Sequence, residues 1–142
     1  MAFAGEGTRL VGSRWTERGL PSVYTSQSIA LAALETLVHM EIKHLPAYVV
    51  IPADIPYDSQ IEVVDTSGLP RDWMQTPSPM LLRHIGTEWL RSLRCVALQV
   101  PSAVVPEEFN YILNPIHSDF GRIEIGKPRP FQFDHRLVST PR

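Results

Sequence analysis

Proline stops or interrupts nearly every regular segment of this chain, and that restricts it to short strands and two main helices. The first helix is predicted from a cap at Ser26 or Ser28 to about His44, just before Pro46. On it Leu31, Leu34, Val38 and Ile42 form an apolar stripe, widened by Ala30 and Leu37. For the second, Ser78-Pro79 supplies an N-cap and a first-turn proline, and the helix continues to about Leu93. Its apolar face holds Leu82, Ile85, Trp89 and Leu93, with Gly86 as a local weakness. Short strands are predicted over residues 22–25, 48–55, 61–64, 95–100, 122–125 and 131–133. Pro52 removes a ladder donor and marks an edge or a bulge, and Pro101 ends the strand before it. Residues 1–21 read as a glycine-containing loop, 69–79 as a second loop, and 102–120 as irregular with a helical turn around 107–113. These elements make an α+β fold, a single domain over residues 1–142.

A chain of 142 residues with 44% hydrophobic side chains can bury a sizeable core without disulfides or metal. Net charge is -2 and no run of Lys or Arg occurs, which argues against direct nucleic-acid binding. The single cysteine, Cys95, has no intramolecular disulfide partner, fits a reducing cytosol, and reads as a buried strand residue rather than a nucleophile. No apolar run reaches membrane-spanning length and the N-terminus lacks a leader pattern, so the expected location is the cytoplasm. Histidines at 39, 44, 84, 117 and 135 are scattered without metal-ligand spacing, and no metal is expected.

Chemistry is concentrated in the first quarter. Arg14 follows Gly12-Ser13, where backbone can approach a ligand closely, and its planar guanidinium suits phosphate oxygens. The plain alternative is a surface loop arginine, although Trp15 next door can pin the loop. Arg9 is a weaker candidate for the same place. Tyr24 is either a core or rim aromatic or a ring that faces a cleft, since strand alternation sends it opposite Val23. Ser26 caps a helix or meets a ligand, and Glu35, flanked by Leu31 and His39, lies at the edge of the apolar stripe, where by itself it reads first as a solvated helix glutamate. Ser102 follows Pro101 at a strand end, where its hydroxyl can donate to a ligand or close a turn. Asn110 and Asn114 share a face if their segment is helical, with local capping the stronger reading for both. His117 follows the Asn114-Pro115 turn near them.

In order and spacing these residues resemble the RES domain family, named for an Arg-Glu-Ser set. The resemblance takes in Gly5-Glu6-Gly7, Gly12-Ser13-Arg14-Trp15, Val23-Tyr24-Thr25-Ser26-Gln27-Ser28-Ile29-Ala30-Leu31-Ala32 and Glu35. It continues through Val100-Pro101-Ser102-Ala103-Val104-Val105-Pro106, Asn110-Tyr111-Ile112-Leu113-Asn114-Pro115 and Phe131-Gln132-Phe133-Asp134. It implies a fold related to ADP-ribosyltransferases and a bacterial toxin that degrades NAD+, held in check by an Xre-type helix-turn-helix antitoxin. NAD+ is then substrate rather than cofactor, and inorganic phosphate is the implied co-substrate.

Under this resemblance Glu35 takes the catalytic carboxylate position. Nicotinamide is already a cationic leaving group, so no general acid is required, and a fixed carboxylate stabilises the oxocarbenium character that develops on the ribose. Arg14 would hold the pyrophosphate or orient the ribose, and Tyr24 would stack on or bond near the nicotinamide ribose. Ser102 matches the named serine, while Gly12, Ser13, Trp15, Ser26, Asn110 and Asn114 are expected at the substrate site. Water or a macromolecule are the alternative acceptors, and residues 65–79 are the candidate loop for recognising the latter. Two departures from the family pattern stand out. An arginine-bearing first strand is not seen, which raises the expectation of a weakened enzyme or a non-catalytic binding module. Ser13 replaces a glycine of the family loop, and serine there would add strain if a positive φ were needed. Self-association is left open.

Overall fold

The central sheet, in the order β1-β6-β5-β4, is the platform on which the rest of the chain is arranged. The structure is a computed structural model and describes residues 3–40 and 47–137. In chain order the elements are α1 (Glu6–Val11), β1 (Val23–Ser26), α2 (Ile29–Leu37), β2 (Tyr48–Val50), β3 (Ala53–Asp54) and β4 (Ile61–Val63), then α3 (Met80–Ser92), β5 (Ala97–Pro101), β6 (Phe109–Leu113), β7 (Glu124–Ile125) and β8 (Arg129–Phe131). Two small antiparallel pairs, β2 with β8 and β3 with β7, sit beside the main sheet. The fold is α+β, as the sequence implies, with no helix among the described residues long and apolar enough to cross a membrane.

β5 is the spine of the sheet. It runs parallel to β4 and antiparallel to β6, and Ala97, Leu98 and Val100 are fully buried. β6 is the principal departure from the sequence expectation of a helical turn over 107–113. Its Phe-Asn-Tyr-Ile-Leu run suits a pleated surface, and both of its edges are paired, with β1 and with β5. Pro52 does break its segment, separating β2 from β3, so the predicted 48–55 strand is two short ones. Of the strands near the C-terminus, the first is shorter than predicted, at 124–125, and the second keeps its length but is shifted to 129–131.

The helices also differ from expectation. α1 occupies part of the stretch read as loop. α2 is capped by Ser28, whose Oγ accepts from the Leu31 amide at 3.1 Å, while Ser26 is engaged elsewhere. It ends at Leu37, where His39 and Met40 donate back to Thr36 and Leu37 and tighten the chain out of the helix. Of its predicted stripe Leu31 is buried, but Leu34 and Val38 are 40% and 58% exposed, and Ile42 lies outside the described residues. Leu31 alone of these anchors the helix in the core.

α3 carries the main helical contribution to the core. Leu82, Trp89 and Leu90 pack with Trp15, Cys95, Leu98, Val100 and Ile112. Trp89 Nε1 donates to Cys95 Sγ at 3.3 Å, and the thiol donates to Ala97 O, so Cys95 is a buried structural residue. Pro79 occupies the N-cap position without a side-chain cap, and Ser78 instead donates its hydroxyl to the Arg14 carbonyl at 3.0 Å. Leu93 leaves the core (48% exposed) because it takes the left-handed conformation that ends the helix.

Gly86 is the buried face on which α3 receives the N-terminal loop. A Cβ there would lie 1.9 Å from the Trp15 carbonyl oxygen, inside any allowed contact. Its low helix propensity is therefore the condition for this packing. Gly86→Ala should lower stability by about 1–3 kcal/mol despite the better helix former, because overpacking outweighs propensity. Gly7→Ala, in open space on α1, should be neutral or gain up to about 1 kcal/mol. Urea unfolding midpoints of the two variants check this, and a wild-type midpoint for Gly86→Ala would show that the loop can lift off the helix freely.

Candidate active site

A cleft of about 1740 Å³ opens between the 12–18 loop, the 74–78 loop, α2 and the Ser26–Asn110 end of the sheet. Glu35 reaches it from α2 and is half-buried. Its Oε1 accepts from Ser102 Oγ at 2.6 Å and from Asn110 Nδ2 at 2.7 Å. Both donors are themselves fixed. Ser102, fully buried after Pro101, accepts on the same hydroxyl from the amides of Val104 and Val105 at 3.1 and 3.0 Å. With both amide protons arriving at its oxygen, the Ser102 proton is directed at the carboxylate. Asn110 lies opposite Ser26 in the β1–β6 register, and its Oδ1 accepts from Ser26 Oγ at 2.7 Å, which fixes which end of the amide faces Glu35. The other carboxylate oxygen, Oε2, has no hydrogen-bond partner among the described residues. One oxygen is anchored and one is available.

The Gly12-Ser13-Arg14-Trp15 loop forms a second wall. Gly12 has φ +74°, and a Cβ would meet the Arg18 amide nitrogen at 2.9 Å, so this position requires glycine. Ser13 does not: Leu93 is the non-glycine residue with positive φ among the described residues. The expected strain at Ser13 is absent, because the left-handed turn falls one residue earlier. Its hydroxyl instead bonds Thr16 Oγ1 at 2.8 Å and the Tyr24 phenol. The Trp15 amide also donates to the Tyr24 oxygen, at 3.3 Å. Tyr24 therefore buttresses the loop with its hydroxyl, and its pKa is pushed up to about 12, mainly by burial, with the bonds from the loop and the Arg14 charge opposing that rise. It is a neutral phenol at physiological pH.

Arg14 points along the cleft wall. Its guanidinium donates to Trp73 O at 3.0 Å, Gln75 O at 2.7 Å and Thr76 Oγ1 at 3.0 Å. Burial lowers its pKa from the ordinary value while Glu35 and Tyr24 pull it back up, so the arginine is held in the field of the carboxylate. It stays charged. The 65–79 segment is thereby tied down at residues 73–76, and its start is fixed by Asp65, which accepts from the Ser67 amide.

Thus Gly12, Ser13, Arg14, Tyr24, Ser26, Glu35 and Asn110 meet at one cleft, and Ser102 reaches it through Glu35. Trp15 lines it by its backbone side while its ring is sunk in the core against Trp73. Asn114 does not join them. It is fully buried beyond β6, donating to Leu90 O and accepting from the Ile116 amide, and so joins α3 to the sheet. His117 is likewise elsewhere, accepting from the Asp119 amide, and Arg9 pairs with Glu6 on the surface. Sequence reasoning missed Thr16, Ser78 and Arg83, which carry no motif and are brought to the cleft by the contacts of the loop with α3. No three His, Cys, Asp or Glu side chains among the described residues converge to hold a metal ion.

A family profile described as "RES domain" matches residues 1–134. A protein named "Toxin Res" from Photorhabdus laumondii is 40% identical over 141 residues, covering 98% of this chain and 90% of that protein. "Prs ADP-ribosylating toxin" from a Sphingobium species is 36% identical, with 96% and 86% covered. Among solved structures, the crystal structure of the M. tuberculosis MbcT-MbcA toxin-antitoxin complex matches at TM-score 0.67 and 17% identity, over 97% of this chain and 80% of that one. That last likeness concerns the fold.

Two outcomes test this geometry. The ultraviolet pH titration of wild type minus that of Tyr24→Phe should isolate a phenol with a midpoint near 12 instead of the ordinary tyrosine value of 10.0. Ser102→Ala should cost about 1–3 kcal/mol in urea unfolding, because two buried amides lose their acceptor. A Ser102→Ala protein as stable as wild type would mean that those amides find other partners.

Proposed function

We propose that this chain, which belongs to the RES domain family, is the toxin of a toxin–antitoxin pair and destroys NAD+ by cleaving its nicotinamide–ribose bond. The observation that carries the reading is the Glu35 carboxylate, anchored through one oxygen by Ser102 and Asn110 with the other left to the cleft. In the reaction the ribose carbon–nitrogen bond breaks, and its electron pair neutralises the cationic nicotinamide. Positive charge then develops on the ribose. Glu35, already oriented, stabilises that charge without rearranging, which is where an oriented carboxylate contributes most. Inorganic phosphate attacks the same carbon through an oxygen and forms ADP-ribose 1''-phosphate. Tyr24, neutral and bonded into the loop, shapes the wall rather than moving protons. No cofactor is needed, since NAD+ is the substrate.

The partner in this reading is an antitoxin, of the Xre-type helix-turn-helix class, that occupies the cleft until it is degraded. The complex in which the MbcT fold is seen supports such a partner. A second reading is favoured by the name of the Sphingobium relative, an ADP-ribosylating toxin. The first half of the reaction is then unchanged, and a macromolecular nucleophile takes the place of phosphate. Either acceptor fits a protein acting in the cytoplasm.

Nicotinamide release from NAD+ by the purified chain, with and without phosphate, tests the proposal. Release that depends on phosphate and falls roughly a hundredfold or more in Glu35→Gln is expected. Release indifferent to phosphate would identify water as the acceptor, and a mass increase on an added cell protein would identify transfer. A folded wild-type chain that binds NAD+ without releasing nicotinamide would leave a binding module in place of an enzyme.

A further inference from the structure

We propose that Arg83 is the residue that grips the anionic diphosphate of the ligand, a role that the sequence pattern gives to Arg14. The proposal rests on reading the cleft as a nucleotide site and assigns its anion-binding group. Arg9, Arg94 and Arg122 are paired with acidic side chains on the surface. Three arginines line the cleft: Arg14, Arg18 and Arg83. Arg14 is committed, with donors placed on Trp73 O, Gln75 O and Thr76 Oγ1 at 2.7–3.0 Å. Those bonds take three of its five N–H donors and pin the guanidinium to the cleft wall, so that only the Nε hydrogen and one Nη2 hydrogen are left for a ligand. Arg18 is exposed and carries no structure that would fix its position.

Arg83 differs from both. It is half-buried in the second turn of α3. Its contacts are Nε to Ser78 Oγ at 3.4 Å and Nη2 to Ser78 O at 3.5 Å, both at the long limit for a hydrogen bond. No carboxylate pairs with it among the described residues. Lining the cleft and without a counter-charge, this guanidinium is placed to receive an anion. Its position is nevertheless defined, because the Ser78 hydroxyl it approaches is bonded to the Arg14 carbonyl at 3.0 Å. The clamped wall thus presents Arg83 as an oriented fork, which suits adjacent phosphates. Glu35 and Arg83 stand on different helices over one cleft, so the site carries a negative group for the nicotinamide ribose and a positive one for the diphosphate.

Calorimetric titration of the full chain with inorganic diphosphate and, separately, with ADP-ribose tests the proposal. Arg83→Ala should weaken both on the order of tenfold or more, with partial recovery in Arg83→Lys, whose ammonium supplies charge without the fork. In the turnover assay Arg83→Ala should raise KM for NAD+ more than it lowers kcat. Binding by Arg83→Ala equal to wild type, binding lost instead in Arg18→Ala, or no diphosphate binding by folded wild type would each overturn it. Diphosphate binding that needs Arg83 upholds it even in a chain that releases no nicotinamide, an outcome that would instead sink the enzyme reading.

Discussion

The landing of the Trp15 carbonyl on Gly86 is the contact that the arrangement around the cleft depends on. It brings the N-terminal loop to within backbone distance of α3, closer than any side chain would allow. The Trp15 ring can then enter the core beside Leu82, Trp89 and Ile112, and the next residues are secured by the Glu17 amide donating to Thr87 Oγ1 at 2.9 Å. With the tryptophan inward, Arg14 must emerge on the other side, where it meets residues 73–76. Ser78 returns the contact to the Arg14 carbonyl, so loop, wall and helix brace one another. Removing the glycine would disturb all of these together, since they share one backbone.

The carboxylate is organised on a different principle. Its anchors come from residues 67 and 75 positions away, and each is held by a further bond to backbone or strand. A hydrogen-bonded chain of this kind in a partly dry site fixes orientation before any ligand is present. The order Ser26, Asn110, Glu35, Ser102 alternates donor and acceptor without conflict, which is why four polar side chains can share so small a volume.

Much of this was legible in the residues, and the rest has identifiable causes. α3 and β5 were readable because their apolar periods are strong, and Ser28 because a capping serine precedes a helical run. β6 was misread as a helical turn although its Phe-Asn-Tyr-Ile-Leu run suits a strand, because its pairing with β1 and β5 is made only in the folded chain. Gly86 read as a weakness since propensity says nothing of what lies against a helix. Arg14 and Tyr24 were recognised as residues of one site, yet the partners of their polar atoms are 59 to 62 residues away in one case and in the neighbouring loop in the other. Such commitments belong to the folded chain alone. Asn114 shows the converse: the resemblance put it at the substrate site, whereas its side chain caps the Ile116 amide locally, as its place before a proline suggests, and ties α3 to the sheet through Leu90 O.

The position of β6 between β1 and β5 has a consequence for how the protein comes into being. β1 and the helix carrying Glu35 are made early, but the strand that pairs with β1 and supplies Asn110 is translated some 75 residues later. A ribosome-bound chain therefore holds the acidic residue with neither of its anchors until most of the protein has emerged. Contacts this distant also form late, since a long loop must close before they are rewarded. The organised cleft is in this sense a property of the finished molecule, and the nascent chain is born without it.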